Sequence, residues 1–163
     1  MIAFIRAHTI NDFESIAELA HEIWHEHYTP IIGKAQVTYM INKYQTSETM
    51  QKQADDGYEY YLINFSDTPV GYLAIQKRED QLFLSKIYIL SSYRGKKIGK
   101  EAFKFIDNRA KSLQCTEVAL TVNKNNSNTI KAYERIGYQK TEAIVIDIGN
   151  GFVMDDYKMV KPI

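Results

Sequence analysis

The chain has 163 residues, and its 20 basic residues balance 20 acidic ones, so its formal net charge at pH 7 is zero. A neutral chain has no general electrostatic attraction for nucleic acid or for an anionic membrane surface, and we expect neither as a partner. The length suits one domain whose core needs no disulfide bonds, so we predict a single domain over residues 1–163.

Cysteine content and the N-terminal residues indicate the compartment. Cys115 is the only cysteine, and it begins an apolar stretch where a buried, unreactive thiol is expected, which favours a reducing environment. The first residues reach the charge of Arg6 too early for a signal peptide. No apolar run approaches the roughly 20 residues that span a bilayer. We therefore predict a soluble, cytoplasmic protein.

The first third of the chain has mainly helical patterns. Asn11 is followed three residues later by Glu14, which is typical of a helix start, and we expect this helix to run to about Glu26. Tyr28-Thr29-Pro30 should break it, because proline lacks the backbone N–H that a helix needs. The other elements predicted here are a strand over residues 2–7 and helices over residues 34–44 and 47–54.

From Tyr58 onward, strand patterns dominate. Aromatic and β-branched residues predict three strands in an antiparallel meander. Asn150-Gly151 later in the chain is a strong signal for a hairpin turn. The predicted elements are strands over residues 58–65, 69–77 and 81–90, a helix from residue 98, a strand over 116–122, a helix over 129–136, and strands over 138–148 and 152–160.

A basic, glycine-containing loop joins the third meander strand to the helix that follows. It reads Arg94-Gly95-Lys96-Lys97-Ile98-Gly99-Lys100, and residues 86–104 contain Arg94 and five lysines against one acid, Glu101. Glycines let backbone amides approach a ligand closely, and the first N–H groups of a helix have no partner within it. The loop therefore predicts a site for a polyphosphate anion.

Two motifs in this order resemble the cofactor motifs of the GNAT acetyltransferase superfamily. In the first motif Arg94 and Gly99 match, whereas Lys97 replaces the middle glycine and would be strained in a left-handed conformation. In the second, Asn126 is followed by Tyr133 and by Gly137-Tyr138. The order of the predicted elements is similar over essentially the whole chain.

The resemblance implies that acetyl-CoA is a co-substrate and that no metal is needed. Tyr133 looks like the general acid that protonates the departing thiolate, since a phenol of pKa near 10 suits a thiol of pKa about 8.5 to 10. The strand before the loop would contribute backbone groups to the pantetheine arm. The implied cofactor-binding residues are Ile87, Tyr88, Ile89, Arg94, Gly95, Lys96, Lys97, Ile98, Gly99, Lys100 and Asn126.

The general base is the part of the family pattern that this chain does not match. Diamine acetyltransferases of the superfamily have a catalytic glutamate where this chain has Ser85, and serine cannot deprotonate an ammonium group. The sequence leaves open a water chain, selection of the neutral amine, or another residue. The candidate residues are Glu26, His27, Asp155 and Asp156.

In the family the acceptor lies between the early helices and the far end of the sheet. That position implies that Trp24, His27 and Tyr28 line the acceptor site, together with His25 and Tyr39. Aromatic rings and nearby acids such as Glu22 and Glu26 suit a cationic amine. A primary amine of a small molecule, with a polyamine as one candidate, is therefore the expected acceptor.

The predicted fold class is α/β. It has a mixed, mostly antiparallel seven-stranded twisted sheet with helices on both faces, and strands four and five part near the cofactor loop. The predicted function is N-acetyl transfer from acetyl-CoA, and a homodimer is left open.

Other functions fit parts of the sequence. A protein or peptide N-acetyltransferase and a non-catalytic acyl-CoA sensor would use the same cofactor motifs. His21-Glu22-Ile23-Trp24-His25 has the H-E-x-x-H spacing of zinc hydrolases, with Glu48 as a conceivable third ligand. A nucleic-acid-binding module could use the basic segment with Tyr88 and Tyr93 as stacking platforms, although the neutral charge opposes it.

Overall fold

The computed structural model describes all residues, Met1–Ile163. Its regular elements appear in the order that the sequence predicts, and a single 3-10 turn over Ser91–Tyr93 follows the fourth strand. The elements are β1 (Ile2–Arg6), α1 (Ile10–Ile32), α2 (Lys34–Tyr44), α3 (Ser47–Asp55), β2 (Tyr58–Phe65), β3 (Thr68–Arg78), β4 (Gln81–Ile89), α4 (Ile98–Ser112), β5 (Glu117–Asn123), α5 (Ser127–Arg135), β6 (Gln139–Gly149) and β7 (Phe152–Pro162).

The strands form a mixed seven-stranded sheet in the order β1-β2-β3-β4-β5-β7-β6, as the predicted fold class requires. β4 pairs with β5 in parallel, whereas β1 with β2, β2 with β3, β5 with β7, and β6 with β7 are antiparallel. The parallel ladder ends at Leu84 and Leu120, although β4 continues to Ile89 and β5 to Asn123. This early end agrees with the prediction that strands four and five part before the loop.

The chain divides into two compact units, which are described separately. The first unit comprises Met1–Gln76 and Lys86–Ile106, and the second comprises Lys77–Ser85 and Asp107–Ile163. In the first unit the buried residues include Ile16, Met50, Ile63, Tyr72 and Leu73; in the second they include Leu82, Leu84, Val118, Leu120 and Met159. One domain over residues 1–163 stays a prediction.

Helix α1 differs from its prediction at both ends. Its N-cap is Thr9, which forms the capping box with Asp12, so the predicted pair Asn11 and Glu14 is wrong. The helix also continues through Pro30 to Ile32 and is capped by Gly33, whose φ is 85° and whose N–H donates to Thr29 O at 3.0 Å. Pro30 stands in the last turn, where its missing N–H removes only one helical hydrogen bond, and the predicted break at residues 28–30 is therefore wrong.

Two other predictions concern burial and membrane spans. Cys115 is a buried free thiol, as expected, and burial raises its pKa, which lowers its reactivity. None of the helices is both long enough and apolar enough to cross a lipid bilayer.

Candidate active site

The basic loop of the first unit leads directly into α4. Arg94, Gly95, Lys96, Lys97 and Lys100 are exposed, while Ile98 is buried and anchors the first turn of the helix. The first amide of α4 with a carbonyl acceptor in this turn is that of Glu101, which donates to Lys97 O at 3.1 Å. The N–H groups of residues 98–100 precede it and lack such an acceptor within the helix. Positive side chains and amide donors thus occupy the same turn.

Lys97 has a φ of 63°, which is the left-handed region. A residue with a Cβ atom is strained there, whereas glycine is not. A left-handed φ at this position would explain why the family motif has a glycine here, and Lys97 adopts it. The loop adopts this backbone conformation at a conformational cost.

Lys86 is not part of the basic surface around the loop, contrary to the sequence analysis. It is buried, with 8% of its surface exposed, and its Nζ donates to Tyr60 Oη at 2.5 Å. Gln53 Oε1 and the Tyr44 carbonyl are further acceptors, each at 3.4 Å. Burial lowers the pKa of Lys86 to about 7. Its role in this unit is to connect β4 to α2, α3 and β2.

The C-terminal part of α1 contacts the loop through two polar pairs. Ser91 Oγ donates a hydrogen bond to Glu26 Oε1, and Arg94 Nη2 lies 3.5 Å from His27 Nδ1. Because a guanidinium only donates, His27 Nδ1 is the acceptor. Partial burial and the Arg94 charge lower the pKa of His27, so this imidazole is neutral at pH 7.

Four aromatic residues of the first unit form a cluster next to these pairs. Tyr28 and Tyr88 have their hydroxyls 3.5 Å apart, and the Trp24 ring lies 4.5 Å from that of Tyr28 and 5.5 Å from that of Tyr88. Trp24 Nε1 donates to Tyr72 Oη at 3.2 Å, and Tyr72 Oη donates to Gln45 Oε1 at 2.9 Å. Trp24 is buried, whereas Tyr28 and Tyr88 are half-buried.

The end of β4 approaches β3 closely at Gly71. A Cβ atom on Gly71 would lie 2.3 Å from the Tyr88 carbonyl oxygen and 3.1 Å from Ile89 Cα. Leu90 N donates to Val70 O at 2.8 Å just beyond this point. The backbone of residues 87–89, predicted to contact the pantetheine arm, therefore takes its path because residue 71 has no side chain.

The second unit holds the residues of the second motif. Asn126 is buried and is the N-cap of α5, although its side chain makes no capping hydrogen bond. Tyr133 lies about two turns along α5 and is half-buried, with its ring 5.8 Å from that of Tyr138. Tyr138 is buried, and Gly137 before it has a φ of 109°.

Two adjacent aspartates on β7 differ in their surroundings. Lys124 Nζ lies 2.7 Å from Asp155 Oδ1, and Lys124 N donates to the Asp155 carbonyl at 3.0 Å. Asp156 is 4% exposed and stands opposite Asn123, the last residue of β5. Burial and the neighbouring Asp155 charge raise the pKa of Asp156 to about 6.

The H-E-x-x-H residues lie on α1 without the remainder of a metal site. The rings of His21 and His25 are 4.6 Å apart, and both His21 and Glu22 are exposed. No group of three or more histidine, cysteine, aspartate or glutamate side chains is arranged to hold a metal ion. Glu48 therefore does not complete such a site.

The structure thus brings Trp24, His27 and Tyr28 together with Tyr88 and Arg94 in the first unit, and Asn126 and Tyr133 belong to the second. Sequence reasoning missed Gly71 and Tyr72. The only signal for Gly71 is a glycine within a strand, which often marks a close backbone approach. No pattern indicates that Tyr72 bonds Trp24, because the two are 48 residues apart.

The fold is that of an α/β protein in which the basic N-terminus of α4 follows β4, whose parallel pairing with β5 ends at Leu84. Comparisons with known proteins identify the family that has this fold. The sequence model of the Acetyltransferase (GNAT) family matches residues 13–138. The chain therefore belongs to the GNAT family of acetyltransferases.

Individual relatives are distant but align over nearly the whole chain. A spermidine N(1)-acetyltransferase of Thermoplasma acidophilum is 24% identical over 156 residues, which are 93% of this chain and 94% of the relative. The crystal structure of PaiA N-acetyltransferase from the same organism, in complex with coenzyme A, aligns with a TM-score of 0.81 at 21% identity over 100% and 99% of the two chains. A ribosomal-protein alanine N-acetyltransferase from Escherichia coli aligns with a TM-score of 0.75 at 15% identity, over 100% and 94%.

Proposed function

We propose that this acetyltransferase transfers the acetyl group of acetyl-CoA to a primary amine of a small molecule. The observation that carries the proposal is the exposed, positively charged first turn of α4, where Arg94 and Lys97 accompany unpaired helix amides. Such a turn binds phosphate groups through both its dipole and its N–H donors. The distant relative crystallised with coenzyme A supports the choice of cofactor.

The proposed cofactor contacts are those that the resemblance to the family implies. The diphosphate binds at residues 94–100, and the backbone of residues 87–89 hydrogen-bonds the pantetheine arm. Asn126 contributes from the start of α5. Acetyl-CoA then presents its thioester for direct attack by the amine, with no covalent acetyl-enzyme intermediate.

Tyr133 serves as the general acid in this proposal. As the amine attacks the thioester carbonyl, the C–S bond breaks and the leaving sulfur carries negative charge. The Tyr133 hydroxyl donates its proton to that sulfur and gives coenzyme A as the free thiol, while the attacking nitrogen releases its proton to solvent, from which Tyr133 is reprotonated. Its half-buried position on α5, two turns after the buried Asn126, supports the role.

The acceptor is an amine that carries a positive charge in water. The half-buried rings of Tyr28 and Tyr88, near Glu26 and the imidazole of His27, offer faces and acceptors that suit an alkylammonium group. The spermidine acetyltransferase among the relatives makes a polyamine the first acceptor to test.

Other functions and assemblies receive less support. Peptide acetylation and acyl-CoA sensing rest on the same cofactor motifs, while His21 and His25 lack a third metal ligand. A homodimer stays a prediction. The surface that supports it is β6, an edge strand of the sheet, where Val145 and Ile146 are exposed.

An acetyl-CoA consumption assay tests the proposal. Purified protein is incubated with acetyl-CoA and one candidate acceptor at a time. The acceptors are spermidine, an amino sugar, an amino acid and a peptide with a free N-terminus. Release of free thiol with spermidine or another small amine is the expected result. Release only with the peptide would favour the alternative acceptor, and coenzyme A binding without any turnover would favour a sensor.

The role of Tyr133 predicts a separation of binding from chemistry. Tyr133→Phe should lower kcat about 100-fold, because a general acid contributes about 10²–10⁴-fold, and should leave the Kd for coenzyme A within about twofold. Tyr157→Phe removes a hydroxyl from a half-buried tyrosine of β7 and should leave both values unchanged. Equal losses of kcat and affinity in the Tyr133 variant would refute the acid role.

A further inference from the structure

The C-terminal part of α1 contacts the segment that begins the basic loop, and both belong to the first unit. Two neighbouring residues of α1 make these contacts. Glu26 accepts a hydrogen bond from Ser91, and His27 Nδ1 lies 3.5 Å from Arg94 Nη2. Neither contact is explained by a role as general base or in the acceptor site.

Glu26 holds the start of the turn that carries Arg94. Ser91 Oγ donates to Glu26 Oε1, and the Ser91 carbonyl accepts a hydrogen bond from the Arg94 N–H at 3.1 Å. Within the same turn, Tyr93 N donates to Leu90 O at 3.0 Å. The backbone that leads into Arg94 is therefore fixed by its own hydrogen bonds and by a side chain of α1.

His27 is a suitable acceptor for the Arg94 guanidinium. Its half-buried ring meets the Tyr28 ring edge to face, with the ring centroids 4.7 Å apart. Burial and the Arg94 charge lower the pKa of His27, although the Glu26 charge opposes the shift, so the imidazole is neutral at pH 7. A neutral imidazole offers the lone pair of Nδ1, whereas a protonated one would have no lone pair and would repel the guanidinium.

We propose that His27 is a positioning residue for the cofactor: it accepts a hydrogen bond from Arg94 and thereby holds the guanidinium ready for the diphosphate of coenzyme A. This inference rests on the proposed function, because it assumes that the diphosphate binds at residues 94–100. His27 acts through Arg94 in this proposal, and all the groups involved lie in the first unit.

Two physical effects favour this arrangement. A guanidinium has five N–H donors, so the one that faces His27 leaves the others for phosphate oxygens. An arginine side chain also loses rotamer freedom when a ligand immobilises it, and a side chain that is already held loses less. Arg94 is exposed, so without a contact of this kind its long side chain would be mobile before the cofactor binds.

The chemical nature of the partner is also important. A carboxylate beside Arg94 would neutralise the guanidinium and compete with the phosphate groups for its donors. The carboxylate nearest in sequence, that of Glu26, instead accepts from the Ser91 hydroxyl. The neutral imidazole of His27 therefore orients Arg94 and leaves its positive charge available to the diphosphate.

Two substitutions of His27 test the inference by calorimetric titration of coenzyme A at pH 7.5. His27→Ala removes the acceptor and should raise the Kd about fivefold, because Arg94 must then be immobilised on binding. His27→Asn places an amide oxygen close to the position of Nδ1 and should keep the Kd within about twofold of the wild type. His21→Ala, which changes an exposed histidine of the same helix, is the matched control and should bind as the wild type does.

A double substitution separates positioning from a general structural effect. If His27 acts through Arg94, adding His27→Ala to Arg94→Ala should change the Kd by less than about twofold. Losses that multiply in the double variant, a loss that asparagine does not rescue, or unchanged affinity in His27→Ala would overturn the positioning role while the proposed function stands. Wild-type protein that does not bind coenzyme A would overturn both.

Discussion

At the scale of single residues, Lys97 couples the backbone of the basic loop to its charge. A left-handed φ costs a lysine about 1–2 kcal/mol relative to glycine, which has no Cβ to clash with the following carbonyl oxygen. The lysine adds a positive charge at the turn where we place a diphosphate. Lys97 therefore adds a positive charge to the loop and lowers the free energy of unfolding of the ligand-free protein.

Lys97→Gly should raise the free energy of unfolding by about 0.5–1 kcal/mol, because relief of strain exceeds the entropy that glycine adds to the unfolded chain. Urea denaturation followed by circular dichroism measures the change. Lys96→Gly is the control, since Lys96 has no positive φ and its replacement should lower stability. A Lys97→Gly protein less stable than the wild type would contradict the strain.

Residues differ in how far the sequence could predict them. Asn126 at the start of α5 and Tyr133 two turns later were predictable, because a motif spacing and a helical period fix them locally. The burial of Lys86 was not predictable, because a lysine is expected at the surface. Its acceptors, Tyr60 Oη and the Tyr44 carbonyl, are distant from it in sequence. Asp155 and Asp156 were two of four candidate bases, and no local pattern indicates that Asp156 is buried while Asp155 pairs with Lys124.

At the scale of elements, the end of β4 depends on its contact with β3. The Tyr88 carbonyl comes so close to Gly71 that any side chain at residue 71 must displace one of the two strands. This is the segment whose backbone we assign to the pantetheine arm. The path of this proposed binding segment therefore depends on a residue outside both cofactor motifs.

Gly71→Ala should destabilise the protein by about 2 kcal/mol, because the added methyl group meets backbone atoms that cannot yield without moving a strand. Gly99→Ala is a suitable comparison, since its Cβ would come no closer than 3.9 Å to Ile89 Cδ1 and alanine favours a helix. That variant should be equally or more stable than the wild type. Thermal unfolding of both proteins decides the matter, and an unperturbed Gly71→Ala protein would contradict the close contact.

Element boundaries show which local signals compete. The strands from β2 onward fall within two residues of their predicted limits, because alternation and turn residues agree there. Helix α1 extends six residues beyond its prediction, since Pro30 in a final turn loses one hydrogen bond while Gly33 supplies the stop. Thr9 and Asn11 are both residues that can cap a helix. Thr9 is the N-cap because it exchanges two hydrogen bonds with Asp12.

At the scale of the whole molecule, the fold followed from element order, while the site followed from the resemblance. Strand, helix, strand after the meander imposes the one parallel pair, β4 with β5, and the hairpin of β6 and β7 completes the sheet. The aromatic cluster that we assign to the acceptor was not predictable in detail, because Trp24, Tyr72 and Tyr88 meet through contacts between residues distant in sequence.

The central claim is that the basic loop binds the diphosphate of coenzyme A. Isothermal titration calorimetry of coenzyme A into the purified protein tests it most directly. We predict saturable binding to one site, weakened by salt, and a Kd about tenfold higher in Arg94→Ala, which corresponds to about 1.4 kcal/mol. Arg78→Ala, which removes an exposed arginine of β3, should bind as the wild type does. No heat at millimolar coenzyme A, or equal affinity in Arg94→Ala and the wild type, would contradict the assignment of the loop.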